Sequence, residues 1–473
     1  MSCQTAGGTL PDKHPASSSA TSLVAAFRSH VLSPVDVVDA LISRVEGREP
    51  IVNAVTTPAF EAALRQAVEA ERRWSGGVPR PLEGVPVLVK DLIDTAGLRT
   101  TRGSVMFADH VPATDADVVA AIRRAGGIVL GKAATHEFGW GITTDSPHFG
   151  VTRNPWSPAR ISGGSSGGSA AALAAEYAPL AVGTDTAGSV RLPAAFCGVS
   201  GLRPTFGAVP VAGVQPLAPS LDSVGPMART VQDLRLLWSV IAPSRRSPVA
   251  GSEPFADAAP VSVGLLLEAD DVRPAAGVAQ VCSGIAALLA DAGVRVVELD
   301  AGEMPHAHPL LRTVILAEGL RSHVGQGLWP DRAGEYGADV RARLELAEEA
   351  DPGDYLDAQR GRAYLRSAWA GLFTRVDLVL SPAAPLAPPP IAAVPGDFRD
   401  LVMPGIAGQS LAGLPALVMR AGFDATGLPV GIQLTARAWH EELLFDVGEL
   451  VERLTDPIQW RRPGGQPVRN RLP

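Results

Sequence analysis

After Ile161 the chain runs through Ser162-Gly163-Gly164-Ser165-Ser166-Gly167-Gly168-Ser169 and straight into Ala170-Ala171-Ala172-Leu173-Ala174-Ala175. Glycines this concentrated permit positive φ and let backbone close on another group, while the alanine run is a strong helix former whose N-terminus faces the loop. A flexible linker does not lead directly into a helix former between apolar segments, so the loop is built for contact. A phosphate cradle is excluded, because the Walker pattern needs a lysine directly after the last glycine and Ser169 stands there. Gly163, Ser165 and Gly167 formally match a G-x-S-x-G nucleophile elbow. That would make the chain an α/β-hydrolase esterase with Ser165 as nucleophile and a later histidine, His306, His308, His323 or His440, as base. An elbow follows a buried strand, whereas Asn154-Pro155-Trp156-Ser157-Pro158 cannot be a central strand.

The rest of the chain sets the context for that loop. From Ser22 to about Trp74 apolar residues recur at helical spacing (Leu23, Phe27, Val37, Val38, Leu41, Ile42). Short apolar runs, Val85 to Val89 and Ile128 to Leu130, then flank the helix-like Asp117 to Arg124, an order that predicts a mixed α/β sheet with crossover helices. Composition shifts again near Pro243, before an apolar strand from Val261 to Leu267. Residues 305–373 are charged and helical in character, with Arg341, Arg343, Glu345, Glu348 and Glu349 together, and read as a solvated helical cover or lid. The expected organisation is a loose tail over 1–21 and one domain over 22–473.

A net charge of −8 without a basic run argues against direct nucleic-acid binding. The start lacks the features of a signal peptide and no long apolar stretch argues for a membrane span, so a soluble cytoplasmic protein is expected. Cys3, Cys197 and Cys282 lack metal or disulfide spacing, and Cys197 is expected to pack in the core. The histidines form no ligand set, so neither a metal nor another cofactor is expected.

Taken with Gly183-Thr184-Asp185-Thr186-Ala187-Gly188-Ser189-Val190-Arg191-Leu192-Pro193-Ala194 and with Val87-Leu88-Val89-Lys90-Asp91, the loop resembles the amidase-signature family. The similarity extends to Cys197-Gly198-Val199-Ser200-Gly201-Leu202-Arg203-Pro204-Thr205, to Leu221 through Met227 and to Gly427 through Leu434. The resemblance implies that family's α/β fold, a single mixed sheet flanked by helices on both sides. It places the nucleophile on Ser189, a bridging serine after a cis peptide bond on Ser165, and the base on Lys90. It also places the oxyanion hole on the amides of Thr186, Ala187, Gly188 and Ser189, with Ala187 where many relatives have glycine.

The chemistry explains these residue types. A serine hydroxyl is a poor nucleophile until a base takes its proton, and a second hydroxyl can accept one proton while passing on its own. Lys90 can be that base only when neutral, so its pKa must fall by about three units, on the order of 4 kcal/mol, to work near pH 7. Its place at the end of an apolar run suits such burial, and strand alternation would turn the neighbouring Asp91 to the other face. Asp185 and Arg191 are expected to pair and hold the turn.

The expected reaction is hydrolysis of an amide, carbamate or ester through an acyl-enzyme on Ser189. Phe138, Gly139, Trp140, Gly164 and Gln409 are candidate substrate contacts, as are the neighbours Gly408 and Ser410. The A-type glutaminase subunit of a tRNA-dependent amidotransferase looks similar across the signature. That subunit typically has Gln after the turn's arginine and a Ser-Arg-aromatic-Gly stretch, where this chain has Leu192 and Pro210-Val211-Ala212-Gly213. These departures lead to the expectation of a free-standing hydrolase, monomer or homodimer, acting on small apolar or aryl substrates.

Overall fold

Apolar runs bounded by turn residues form the strands, and the largest sheet grows from them. The computed structural model describes residues 15–242, 261–300, 302, 304–459 and 463. Helices α1 (Ala20–Arg28), α2 (Pro34–Val52) and α3 (Phe60–Ser75) open the chain, with strand β1 (Val55–Pro58) between the last two. Strand β2 (Pro86–Lys90), helix α4 (Asp117–Arg124) and strand β3 (Ile128–Ala133) form the expected strand-helix-strand unit, and the two strands pair in parallel. Two short antiparallel ribbons follow, β4 (Asp145–Ser146) with β5 (Gly150–Val151) and β6 (Arg153–Asn154) with β7 (Ser157–Ile161). The segment before Ser162 therefore lies outside the large sheet, as its prolines require.

The glycine-serine loop leads into α5 (Gly167–Ala174), β8 (Leu180–Thr184), α6 (Arg191–Cys197), β9 (Ser200–Arg203), β10 (Val224–Ala228) and α7 (Val231–Ile241). Next come β11 (Ser262–Leu265), α8 (Ala276–Asp291) and β12 (Arg295–Glu298). Helices α9 (His308–Gly325), α10 (Ala338–Glu348) and α11 (Pro352–Leu372) precede β13 (Leu378–Pro382), α12 (Phe398–Val402) and α13 (Pro404–Ala412). Strands β14 (Ala416–Phe423) and β15 (Pro429–Ala436) and helix α14 (Glu441–Gln459) follow.

Among the described residues eleven strands form one mixed sheet in the order β1-β3-β2-β8-β10-β9-β14-β15-β13-β11-β12, flanked by helices. Every residue of β2, β8, β13 and β15 is buried, which explains why these strands read as continuous apolar runs and not as alternating ones. The helical segment α9 to α11 has two faces. Arg341 and Glu345 pair in the open, while Leu344, Leu365 and Trp369 pack in a second apolar cluster with Phe138, Trp140, Leu192 and Ile406. Cys197 and Cys282 are buried free thiols, while Cys3 and the composition shift at Pro243 lie outside the described residues.

The expected loose tail over 1–21 needs correction in its last seven residues, since residues 1–14 lie outside the described ones. Ala16 and Ala20 are buried, and the carboxylate of Asp233 accepts the amides of Ala20 at 2.8 Å and Thr21 at 2.9 Å. A distant aspartate thus caps the first turn of α1, a partner that local composition cannot show. Asp233→Ala should cost about 1–3 kcal/mol and speed tryptic cleavage at Arg28. Urea titration and peptide mapping of the digest would check this.

Candidate active site

Parallel pairing of β2 and β8 brings the ends of these two buried strands side by side, so that Lys90 meets Thr184. The Lys90 Nζ is 2.7 Å from Thr184 Oγ1, 3.5 Å from the Thr184 carbonyl and 2.8 Å from Ser165 Oγ. Burial pushes the lysine pKa down to about 7, although the charges of Asp185 and Asp222 oppose the fall. Asp91 does turn away. Its carboxylate is bonded by Thr101 and by Thr56 at 3.1 Å, and its charged neighbour is Lys132. Peptide Gly164–Ser165 is cis. The Ser165 carbonyl accepts the His136 amide at 3.2 Å, and the next amide, Ser166 N–H, donates to the Ser189 carbonyl at 3.1 Å. The loop thereby holds Lys90 through a side chain and the Ser189 turn through its backbone.

The elbow reading fails at the same atoms. Ser165 Oγ is bonded to Lys90, while the ring of His323 is bonded to Tyr336 and that of His440 to the Ala438 carbonyl. His306 and His308 lie beside Asp271 and Asp400.

The turn carrying Ser189 is organised by Asp185. Its carboxylate accepts the amides of Gly188 at 2.7 Å and Val190 at 3.2 Å, Arg191 Nε at 3.0 Å and Arg203 Nη1 at 3.2 Å. Burial alone would raise the Asp185 pKa, but Arg191 and Arg203 hold the carboxyl well below the usual carboxylate range. Arg191 also reaches the Ile406 carbonyl, Ser410 Oγ and Gln433 Oε1, so the expected pair is the centre of a wider network. One expected oxyanion donor is corrected by this network: the Gly188 N–H is already taken by Asp185. The amides of Thr186, Ala187 and Ser189 have no acceptor among the described residues. Gly188 has φ +89°, and a Cβ there would overlap the Ile406 side chain, so glycine is required.

The expected substrate contacts separate into groups. A recess beside the lysine and turn, about 280 Å³ with its open mouth included, is lined by Phe138, Gly139, Thr184, Thr186, Val211 and Asp222, with Gln215. A Cβ on Gly139 would lie 3.6 Å from Ser165 Oγ. Trp140 instead stacks on His323 at 5.8 Å, inside the second apolar cluster. Gly164 presses on the backbone of Ile142 and Thr143. Gln409 and Gly408 line a different cavity, because residues one and two positions from Ser410 on a helix do not share its face. Sequence reasoning missed Thr184, Arg203, Gln215, Asp222 and Gln433. For Arg203 and Gln433 a signal existed, a charged or amide side chain inside runs otherwise suited to burial.

Asp185→Asn would leave Arg191 and Arg203 buried beside a neutral amide, and should cost about 3–5 kcal/mol in denaturant titration. Because the folded-state pKa of Asp185 is lowered, its contribution is full above the unfolded value of about 3.9 and is lost as pH falls below it. The wild type should therefore lose stability in acid more steeply than Asp185→Asn.

Comparison with known proteins matches the amidase family over residues 36–445. The chain is 37% identical to the A-type subunit of glutamyl-tRNA(Gln) amidotransferase from Roseiflexus sp. (strain RS-1), covering 90% of this chain and 94% of the relative. It is 34% identical to the protein of the same name from Ralstonia nicotianae, covering 93% and 98%. A bacterial aryl acylamidase structure superimposes with a TM-score of 0.85 at 26% identity, covering 95% of this chain and 99% of that one. The names of the curated relatives overturn the expectation of a free-standing hydrolase of apolar or aryl amides, carbamates and esters. Of the departures behind that expectation, Val211 lines the recess beside the Ser189 turn. Leu192 is buried in the apolar cluster, while Pro210, Val211 and Ala212 are exposed. No helix among the described residues is long and apolar enough to cross a membrane. Fold, matched residues and relatives agree: the chain belongs to the amidase family, whose members are hydrolases acting on carbon-nitrogen bonds.

Proposed function

We propose that this chain is the amide-hydrolysing A-type subunit of a tRNA-dependent amidotransferase, releasing ammonia from the side-chain amide of glutamine for transfer to a tRNA-bound acid. The relatives carrying that name, matched over about nine-tenths of this chain, support this choice over other amidases. On this reading, the expectation of a chain acting without nucleic acid gives way to one in which partner subunits hold the tRNA.

The contact that carries the chemistry is the 2.8 Å approach of Lys90 Nζ to Ser165 Oγ inside the protein. A neutral amine has two hydrogens and one lone pair. With both hydrogens directed to the hydroxyl and carbonyl of Thr184, the lone pair faces Ser165. Ser189 Oγ then attacks the amide carbon as its proton passes to Ser165 and the proton of Ser165 passes to Lys90. The carbonyl π pair becomes an oxyanion, held by the amides of Thr186, Ala187 and Ser189. Collapse breaks the carbon-nitrogen bond, and the leaving nitrogen takes the proton back through the relay and departs as ammonia. Water then repeats the sequence on the ester of Ser189, yielding the acid and the free serine.

Ser189→Ala should abolish turnover, and an acylating label on the wild type should map to Ser189. Lys90→Ala should lower kcat by about 10²–10⁴-fold near neutral pH. The wild-type kcat/KM should rise with pH through about 7, where Lys90 becomes neutral, and this limb should vanish in Lys90→Ala. Ammonia release from glutamine should increase when partner subunits and glutamyl-tRNA(Gln) are added. Absence of glutaminase activity in the assembled complex would sink the amidotransferase reading, whereas a retained pH limb in Lys90→Ala would sink the relay.

A further inference from the structure

Helix α13 has two working faces. Ile406 and Ser410, four residues apart, reach Arg191, and the Ile406 side chain abuts Gly188. Gly405, Gly408 and Gln409 lie on another face and line a separate cavity of about 670 Å³, mouth included. Its lining contains none of Lys90, Ser165, Ser189 or the amides of the Ser189 turn.

The cavity sits where α/β topology favours a ligand. Strand β11 is parallel to both neighbours, β12 and β13, so the carboxyl ends of all three lie together. The chain leaves β11 through α8 to β12 on one side, and returns through α9 to α11 to β13 on the other. Connections that diverge in this way leave a crevice at the carboxyl ends of the strands. Leu266, Leu267, Ser381 and Pro382, which end or follow β11 and β13, line this one.

Two buried polar atoms there have no partner among the described residues. Trp369 is 4% exposed, and its Nε1–H lacks an acceptor; Gln409 is 5% exposed, and its Oε1 lacks a donor. The Gln409 Nε2 is engaged by Thr435, which leaves Oε1 as the atom to be satisfied. A Cβ on the lining residue Gly408 would lie 3.2 Å from Trp369 Nε1, so that donor packs against α13 between two residues that line the cavity. Unmatched buried groups cost free energy that a ligand can recover.

We infer that this cavity is a second binding site, for a small neutral carboxamide with an apolar body. A carboxamide oxygen accepts from Trp369 Nε1–H and its N–H donates to Gln409 Oε1, while Leu365 and Pro385 contact the apolar part. A carboxylate would meet the acceptor Gln409 Oε1 and would lie near the carboxylates of two lining residues, Glu268 and Asp270. An ammonium would leave the Trp369 donor facing another donor. Because the opposite face of α13 holds the Ser189 turn, occupancy is placed to act on that turn.

The test uses the full-length Ser189→Ala chain, which spares the probe from turnover, and a phenylacetamide carrying a diazirine on its ring. Photolysis and peptide mapping should put the label on α11 or α13 residues of the cavity; label confined to 138–140 or 184–189 would overturn the proposal. In the same background, Trp369→Phe and Gln409→Leu should each weaken phenylacetamide binding roughly three- to tenfold by calorimetry. Unchanged affinity in both, with circular dichroism confirming that they fold, would also overturn it. If either variant fails to fold, the labelling result decides.

Discussion

A single buried carboxylate, Asp185, holds the active region together. It follows the last residue of β8, accepts amides from the turn it begins, and binds the guanidinium groups of Arg191 at the start of α6 and Arg203 at the end of β9. Through Arg191 the network continues to α13 and β15. Two positive charges against one negative are tolerable in the interior because most of the remaining hydrogens meet carbonyl, hydroxyl and amide oxygens, the Arg203 Nε–H being the exception among the described residues. The Ser189 turn is thus positioned from four directions before any substrate arrives, which is the condition for fixed oxyanion donors.

Lys90 shows the opposite use of burial. Asp185 stays charged because cations surround it, whereas Lys90 moves toward neutrality because its immediate partners are the hydroxyls of Ser165 and Thr184 and the Thr184 carbonyl. Lys90 ends β2 and Asp185 directly follows the adjacent β8, yet their environments push their proton affinities in opposite directions: a lasting charge for structure and a removable proton for the proposed chemistry. Lys132 on β3 is a second buried lysine. Three oxygen partners and the Asp91 carboxylate beside it account for its place, so burial alone does not mark a base.

Much of the architecture was legible because local patterns carry it. The run Val85 to Val89, the amphipathic Asp117 to Arg124 and the run at Ile128 already imply a parallel strand pair, and the prolines around Trp156 already exclude a central strand there. The pairing of Lys90 with Ser165 was legible only through the resemblance, since 75 residues separate them. Substrate contacts were poorly legible. Trp140 directly follows Gly139, and Gln409 directly precedes Ser410 on α13, yet packing sends one into an apolar cluster and the other to a separate cavity. Leu192 and Pro210 misled for a related reason, because a residue type beside a motif carries substrate information only if its side chain faces the substrate.

By itself, then, the sequence determined the chemical parts: a loop that only glycine and serine could make, two serines in specific turns, and a lysine at the end of an apolar strand. Periodicity and hydropathy act over a few residues, so they also determined the type of most elements. Tertiary structure decided which atoms became reactive and which became scaffold. It brought Thr184 to Lys90, assigned the Gly188 amide to Asp185, and gave α13 one face toward Arg191 and another toward a cavity. Desolvation, hydrogen-bond saturation and the facing of side chains depend on everything packed around an atom, and no local pattern contains that.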